Sequence, residues 1–475
     1  MDSIVSTTEP PKLWRVPSVL AGFRLIPPID RFPAVVSAVQ TPWGKVALLA
    51  VFGLELSLLQ HDSFFAAAMV LFLGLVTLMP EYRRFVLALS PIAIAIWSNL
   101  RTPLQLGMTL AAIALGVLLY WLAMLRPKSH FGRRPVLYLL SGFSLLIAVA
   151  CWTQPRTIAY QWLWAFVGAL ASYVWFIAYA LTDRTSKPSG DLTLELTAFR
   201  PLWGSTNTPF PKGAAYLRRI EARTSEQLAI TQLKGVKLLT WAAVLSLFAA
   251  GWNWFFHAYL QIPTSSQALA QSVQGAPVAW HLRWVSLVLA FFESILSISV
   301  MGHQFIAICR VAGFNALRNT YKPLSSTTLS EFFNRYYYYF KELLVDFFFY
   351  PAFLRYFKGR RKVRLVFATF AAAFVGNTVF HFTRDWQIIR DKGLISAMVS
   401  YEASLLYCFV LAIGLSVSEL RKRKPQPVSF VHGRLIPAIG VGLFYCLLNV
   451  FVIEERRYAL IDHLRFFASL FFVHI

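Results

Sequence analysis

Charge is scarce in this sequence. Of its 475 residues only 22 are acidic, and charged residues of both signs make up 14%, where soluble domains carry roughly 25%. With 57% hydrophobic residues and a mean hydropathy of +0.55, the composition points to a bilayer and excludes an ordinary water-soluble domain. Cysteine is nearly absent too. Cys151, Cys309, Cys408 and Cys446 lie in or beside apolar stretches without paired spacing, which excludes a disulfide framework or zinc site and leaves small buried hydrophobes. Short alternating strands are also missing, so a transmembrane β-barrel is excluded.

What the chain does have is long apolar runs. Examples are SFFAAAMVLFLGLVTLMP (63–80), LQLGMTLAAIALGVLLYWLAML (104–125) and LISAMVSYEASLLYCFVLAIGLS (394–416). Each is long enough to cross about 30 Å of hydrocarbon as a helix, and about 11–13 such segments are expected. The fold class is therefore an all-α polytopic transmembrane bundle. The net charge of +23 does not point to nucleic acid, because the basic residues sit between the apolar runs and not on one soluble face. They cluster at 81–84, 125–134, 182–236, 355–364 and 421–427. The intervening turns at 61–62, 153–156 and 261–281 are nearly free of Lys and Arg, so the positive-inside bias places the basic loops and the N-terminus on the cytoplasmic side.

Four segments follow. Residues 1–45 are Pro-punctuated and expected to be cytoplasmic or interfacial; the start lacks a signal-peptide core, and insertion is expected at a first span near 46–60. Residues 46–181 hold six expected spans. Residues 182–236 form a polar loop whose stretch AAYLRRIEARTSEQLAI has helical spacing, either a surface helix or a phosphate-facing element. Residues 237–475 form a second transmembrane bundle.

Within that second bundle polar residues enter the apolar blocks themselves, and ionisable groups at membrane depth point to function. FFNRYYYYFKELLVDFFFYP (332–351) is expected to lie on one helix from 329 to 350, capped by Thr327 or Thr328 with Glu331 and stopped by Pro351. On such a helix Arg335, Tyr339, Glu342 and Asp346 share a stripe, with Arg335 compensating the two acids; interfacial aromatic-belt residues are the plainer reading of the tyrosines. In FATFAAAFVGNTVFHFTRDW (367–386), Asn377, Thr378, His381, Arg384 and Asp385 fall on one face. Asp385, four residues on, is placed to hold one nitrogen of His381 and leave the other as a base, while packing across helices is the structural alternative. Glu293, His303 and Glu402 are expected to pair inside the bundle. His257, His281, His432, His463 and His474 fall near span ends and are expected at the interface.

The stretch FIAICRVAGFNALRNTYKPLSSTTLSEFFNRYYYYFKELLVDFFFYP, read from residue 304, resembles the signature region of the membrane-bound O-acyltransferases. The similarity is to bacterial members of the alginate O-acetylation and D-alanyl transfer kind. Gly313, Phe314, Asn319, Pro323, Phe332, Arg335, Asp346 and Pro351 match without a gap, and His381 follows at the family's interval. The resemblance covers about residues 300–390. It implies an acyltransferase core with an internal tunnel, an acyl-CoA or acyl carrier protein thioester as co-substrate, no tightly bound cofactor, no metal, and a hydroxylated acceptor (polysaccharide, lipid or metabolite). It makes His381 the catalytic base in the cytoplasmic membrane.

The family's first histidine falls on Tyr337 here, and its WHG tripeptide is Phe380, His381 and Phe382. Tyr337 or Asn334 would then assist the oxyanion, and Arg335, Glu342, Asp346, Asn377 and Asp385 would support the tunnel wall. A phenol of pKa about 10 is a poor base, so proton removal is left to His381. Two rival readings remain: a transporter or flippase for a lipid-linked or anionic solute, and a catalytically degenerate relative that scaffolds a partner.

Overall fold

The computed structural model describes residues 25–473 apart from 61–62, 187–191, 206–207, 209, 211, 277, 422–428 and 455. His474, most of the 421–427 run and the first part of the 1–45 segment lie outside the described residues. Among the described residues there is no strand, only one isolated bridge between Glu221 and Phe314. Among the described residues nine helices are long and apolar enough to cross a membrane, or ten if the bent pair Phe64–Leu78 and Pro80–Ala88 counts as one span. The chain is thus a multi-pass helical membrane protein.

That number is below the expected 11–13, and local breaks explain why. The apolar block 394–416 is divided by Tyr401 into Leu394–Ser400 and Glu402–Leu420. Pro80 turns the chain through 103°, since proline cannot continue the preceding hydrogen-bond ladder. Five spans, counting the bent pair, precede the polar loop where six were expected, because Ser90–Ser98 is only nine residues long.

Two apolar cores share the molecule. One gathers Phe52, Leu73, Trp203, Phe210, Leu217, Leu239 and Phe314; the other gathers Phe143, Tyr173, Leu343, Phe380, Leu411 and Phe466. Tyr337 packs against both. The loop after residue 182 contributes heavily to the first core, because its Trp203 and Phe210 are fully buried. Its Glu221 carboxylate is held by Arg83 at 2.7 Å and by Arg84 at 2.6 Å. That stretch is therefore a structural seam between the loop and the first bundle. Burial pushes the Glu221 carboxyl up, but the bonds from Arg84 and Arg83 outweigh it and leave it below the usual carboxylate range.

Helix Ile158–Ser186 is the most deeply buried of the candidate spans, and its contacts form a ruler for depth. Near its start the Tyr160 hydroxyl donates to the Arg390 carbonyl at 3.4 Å. Further on, Trp386 lies so close to Gly168 that a Cβ there would sit 2.4 Å from the ring, so only glycine admits it. Further still, Trp175 Nε1 donates to Thr383 Oγ1 at 3.1 Å and stacks with Phe380 at 5.9 Å. Near its end the Tyr179 hydroxyl donates to Asp346 at 3.3 Å. Trp175 lies about 25 Å along this helix at 1.5 Å per residue. The turn holding Phe380 to Thr383 is therefore well inside the bundle.

Candidate functional site

The expected single helix over 329–350 is broken. Leu329–Tyr336 and Tyr338–Leu344 are separate helices, and Tyr337 between them has φ −141° and ψ 70°. The N-terminal caps are as the sequence indicated: Thr328 Oγ1 accepts from the Glu331 amide at 3.1 Å, and Glu331 accepts from the Thr327 amide at 2.8 Å. The break is made by a distant loop. Asn319 accepts from the Tyr338 amide through its carbonyl (3.0 Å) and from the Tyr339 amide through its side chain (3.2 Å). Thr320 donates to the Tyr336 carbonyl at 2.9 Å, and the Tyr321 amide donates to the Arg335 carbonyl. The backbone groups freed by the break are thus paired with the 319–321 loop, which is what a buried interruption requires. Pro351 does not stop the helix either. A π turn over Val345–Phe349 leads directly into Tyr350–Arg355, where Pro351 is the second residue, so the helical run continues through the proline.

The break separates the expected stripe. Arg335 pairs with Glu331 at 2.7 Å and donates to Ser325 Oγ at 3.0 Å, so it does not compensate Glu342 and Asp346. Lys212, from the polar loop, does. Its Nζ lies 2.5 Å from Glu342 and 2.9 Å from Asp346, with Lys341 also on Glu342. Burial raises the Glu342 carboxyl, yet Lys341 and Lys212 hold it below its ordinary value. At Asp346 burial wins over Lys212, and its carboxyl sits above the ordinary value. Burial lowers Lys212, but Asp346 and Glu342 drive it up overall. No periodicity within 329–350 could reveal Lys212; its signal was only that two acids needed a cation.

The four tyrosines divide by the same break. Tyr339 is buried, hydrogen-bonded to the Tyr216 hydroxyl (3.2 Å) and to the Leu317 carbonyl (3.0 Å). The Tyr337 hydroxyl shares a 2.8 Å hydrogen bond with Thr208. Burial raises the Tyr337 phenol, against the Thr208 bond and the Arg384 charge. Its ring reaches toward His381 through Phe340 (5.4 Å), then Phe380 (4.7 Å). Asn334 is exposed and lines a cleft of about 1550 Å³. Neither His381 nor Tyr337 lines that cleft, so Asn334 is not brought beside the histidine.

The helix Arg361–Arg384 carries the second constellation. It contains a π turn over Ala371–Gly376, a feature that recurs at functional sites. Thr369 and Ala373 line the large cleft; Asn377 and His381 follow at steps of four on the same side. A π turn holds more than four residues, so it partly cancels the drift such steps build up at 3.6 residues per turn. Asn377 is buried and His381 half-buried. Asn377 Oδ1, Thr378 Oγ1 and His381 Nδ1 are all buried without a hydrogen-bond partner. A buried polar atom left dry costs about 1–3 kcal/mol, so three within about one turn mark a place where water or a ligand belongs.

Asp385 does not hold His381. Its carboxylate is taken by Arg384 at 2.6 Å and Arg456 at 3.0 Å, and Arg456 also donates to Ser404 at 2.6 Å. These arginines outweigh burial and hold the Asp385 carboxyl below its ordinary value. The helix ends at Asp385, whose φ of −98° and ψ of 29° turn its side chain away from the i, i+4 geometry. Arg456, 71 residues later in the chain, had no local signal.

Of the other ionisable residues, Glu293 pairs with His257 at 2.8 Å. His303 is buried with an unpartnered Nδ1. Glu402 is exposed in the first turn of its helix. His463 is fully buried between the Ala459 and Ile453 carbonyls and is not interfacial. Three cysteines are buried, Cys151 is half-buried, and all four are free. No group of three or more metal-ligating side chains occurs among the described residues.

Compared with known proteins, the chain matches no family model and no curated protein.

Proposed function

We propose that this chain is a membrane-bound O-acyltransferase of the cytoplasmic membrane, transferring an acyl group from acyl-CoA or an acyl carrier thioester to a hydroxyl. The observation that carries the reading is the His381 ring: half-buried, at depth, free of any hydrogen bond, and next to the unpartnered Asn377 and Thr378. A neutral imidazole nitrogen without a partner is a base waiting for a proton. The acceptor O–H gives its proton to His381 as its oxygen attacks the thioester carbonyl. The C–S bond then breaks, and the proton passes from His381 to the leaving thiolate.

The surrounding groups narrow the roles. Tyr337 holds the loop through Thr208 and bounds the aromatic wall, while Arg384, Asp385 and Arg456 are the charges acting on His381. The cleft beside Thr369 and Ala373 lies along the helix that bears His381, about two turns short of it, and the donor would approach from that side. Basic loops at that end suit a phosphate-bearing donor.

The test is thiol release and label transfer by purified protein with short- and long-chain acyl-CoA and acyl carrier thioesters. Wild type should turn over and His381→Gln should lose at least about 10²-fold, the usual share of a general base. Transfer that survives His381→Gln sinks the reading. The engaged Tyr337 hydroxyl and the distant Asn334 favour one rival, a degenerate scaffold; for it, no thioester would be cleaved by either protein.

A further inference from the structure

The helix that bears His381 has a second groove on its other side, about 590 Å³, lined by Lys362, Val363, Val366, Phe367, Phe370 and Val375 among others. Every lining residue except Lys362 is apolar, and Val363, Phe367 and Val375 are exposed. Lys362 stands at the end where the chain is most basic. Arg355, Lys358, Arg360, Arg361, Lys362 and Arg364 fall within ten residues, and no acid occurs between 347 and 384.

Arg364 is spent on the Phe353 carbonyl and ring. Lys358, Arg360, Arg361 and Lys362 are exposed and make no ion pair or side-chain hydrogen bond. Beside them Tyr356 and Phe357 are exposed and pack edge-on against Phe367. Exposed aromatic rings next to cations are the signature of headgroup depth. From Lys362 to Val375 the groove runs about 20 Å at 1.5 Å per residue, about two-thirds of a hydrocarbon core about 30 Å thick.

We propose that this groove binds one anionic phospholipid from the leaflet at the basic-loop face. Its phosphate lies among Lys358, Arg360, Arg361 and Lys362, and one acyl chain lies along Val366, Phe370 and Val375. Topology-setting charge alone accounts for the cations but not for an apolar channel of acyl-chain length that starts at one of them. Juxtamembrane cations each add attraction for anionic lipid, and the channel supplies the apolar half of the recognition. This inference does not depend on the acyltransferase reading.

The experiment is native mass spectrometry of the full purified chain in detergent, titrated with phosphatidylglycerol, phosphatidylcholine or inorganic phosphate. Thermal unfolding is followed in parallel. Expected are a one-to-one phosphatidylglycerol adduct, at least about tenfold weaker phosphatidylcholine binding, and a rise in Tm with phosphatidylglycerol alone. The variant K358Q/R360Q/R361Q/K362Q should lose the adduct. Ala371→Phe, which fills the groove and leaves the cations in place, should lose it too.

Equal binding of the two lipids would overturn the proposal. So would a Tm rise with phosphate alone, which would assign the site to a free anion. Retention of the adduct by Ala371→Phe would reduce it to a diffuse basic surface. Wild-type Tm in both variants without lipid confirms that they fold.

Discussion

Around Lys212, two half-buried carboxylates and their cations close on one another within salt-bridge distance. Around His381, on a neighbouring helix, three buried polar atoms have no hydrogen-bond partner. Both clusters sit in a chain with little charge to spare, and both would be unstable in hydrocarbon unless compensated. The difference separates a cluster that is already satisfied from one that is open to a further partner. The Lys212 cluster is complete without any other molecule, and it fastens the polar loop to the broken helix. The His381 turn leaves Asn377 Oδ1, Thr378 Oγ1 and His381 Nδ1 without hydrogen-bond partners, which a substrate would supply under the proposed function.

The largest effect separates the two by chemistry. His381→Gln should abolish acyl transfer by orders of magnitude while leaving Tm within a degree or two, whereas an unfolded His381→Gln would place the histidine in the scaffold class. Next comes the converse. Lys212→Met leaves the half-buried Asp346 without its cation and Glu342 with Lys341 alone, and should destabilise by about 1–3 kcal/mol, less than breaking a fully buried pair. Adding Glu342→Gln and Asp346→Asn should recover most of that loss in thermal unfolding. Failure to recover would mean that Lys212 does more than neutralise.

Acidification sharpens the contrast more gently. The Glu342 and Glu221 carboxyls are held below their ordinary value. Their stabilisation is therefore full above the unfolded glutamate value of about 4.3 and is lost as pH falls through the lower folded values. Asp346 has the opposite sign, since its folded value is raised. Tm should thus drop on acidification, and Glu221→Gln should flatten that slope.

The smallest effect is on Asn377. Asn377→Leu replaces the amide and its unpartnered carbonyl with a somewhat bulkier apolar group of the same branching. It should leave stability unchanged or raise it by about 1 kcal/mol, while activity falls. A clear loss of stability would show that Asn377 belongs with the satisfied cluster.

How far the sequence reached can be judged from particular residues. The spans near 104–125 and 46–60 correspond to Pro103–Leu125 and Pro42–Leu59, because twenty apolar residues in a row have few alternatives to a membrane helix. The caps at Thr327, Thr328 and Glu331 were legible for the same local reason. The stripe on 329–350 was not, since its helical period holds only while the helix does, and Asn319 interrupts it from outside the segment. Asp385 illustrates the same limit. Its spacing from His381 was right for a bond, but two arginines, one of them far along the chain, were stronger claimants.

Composition and apolar run length alone determined that this protein is an all-helical bundle in a membrane, and spacing alone placed Asn377 and His381 on one face, because hydrocarbon burial and the helical period are local physics. Which polar groups are satisfied and which are left open was decided only by the tertiary structure. A buried charge takes the nearest partner in space, and Lys212, Arg456 and Asn319 reach theirs across distances in sequence that no local pattern records.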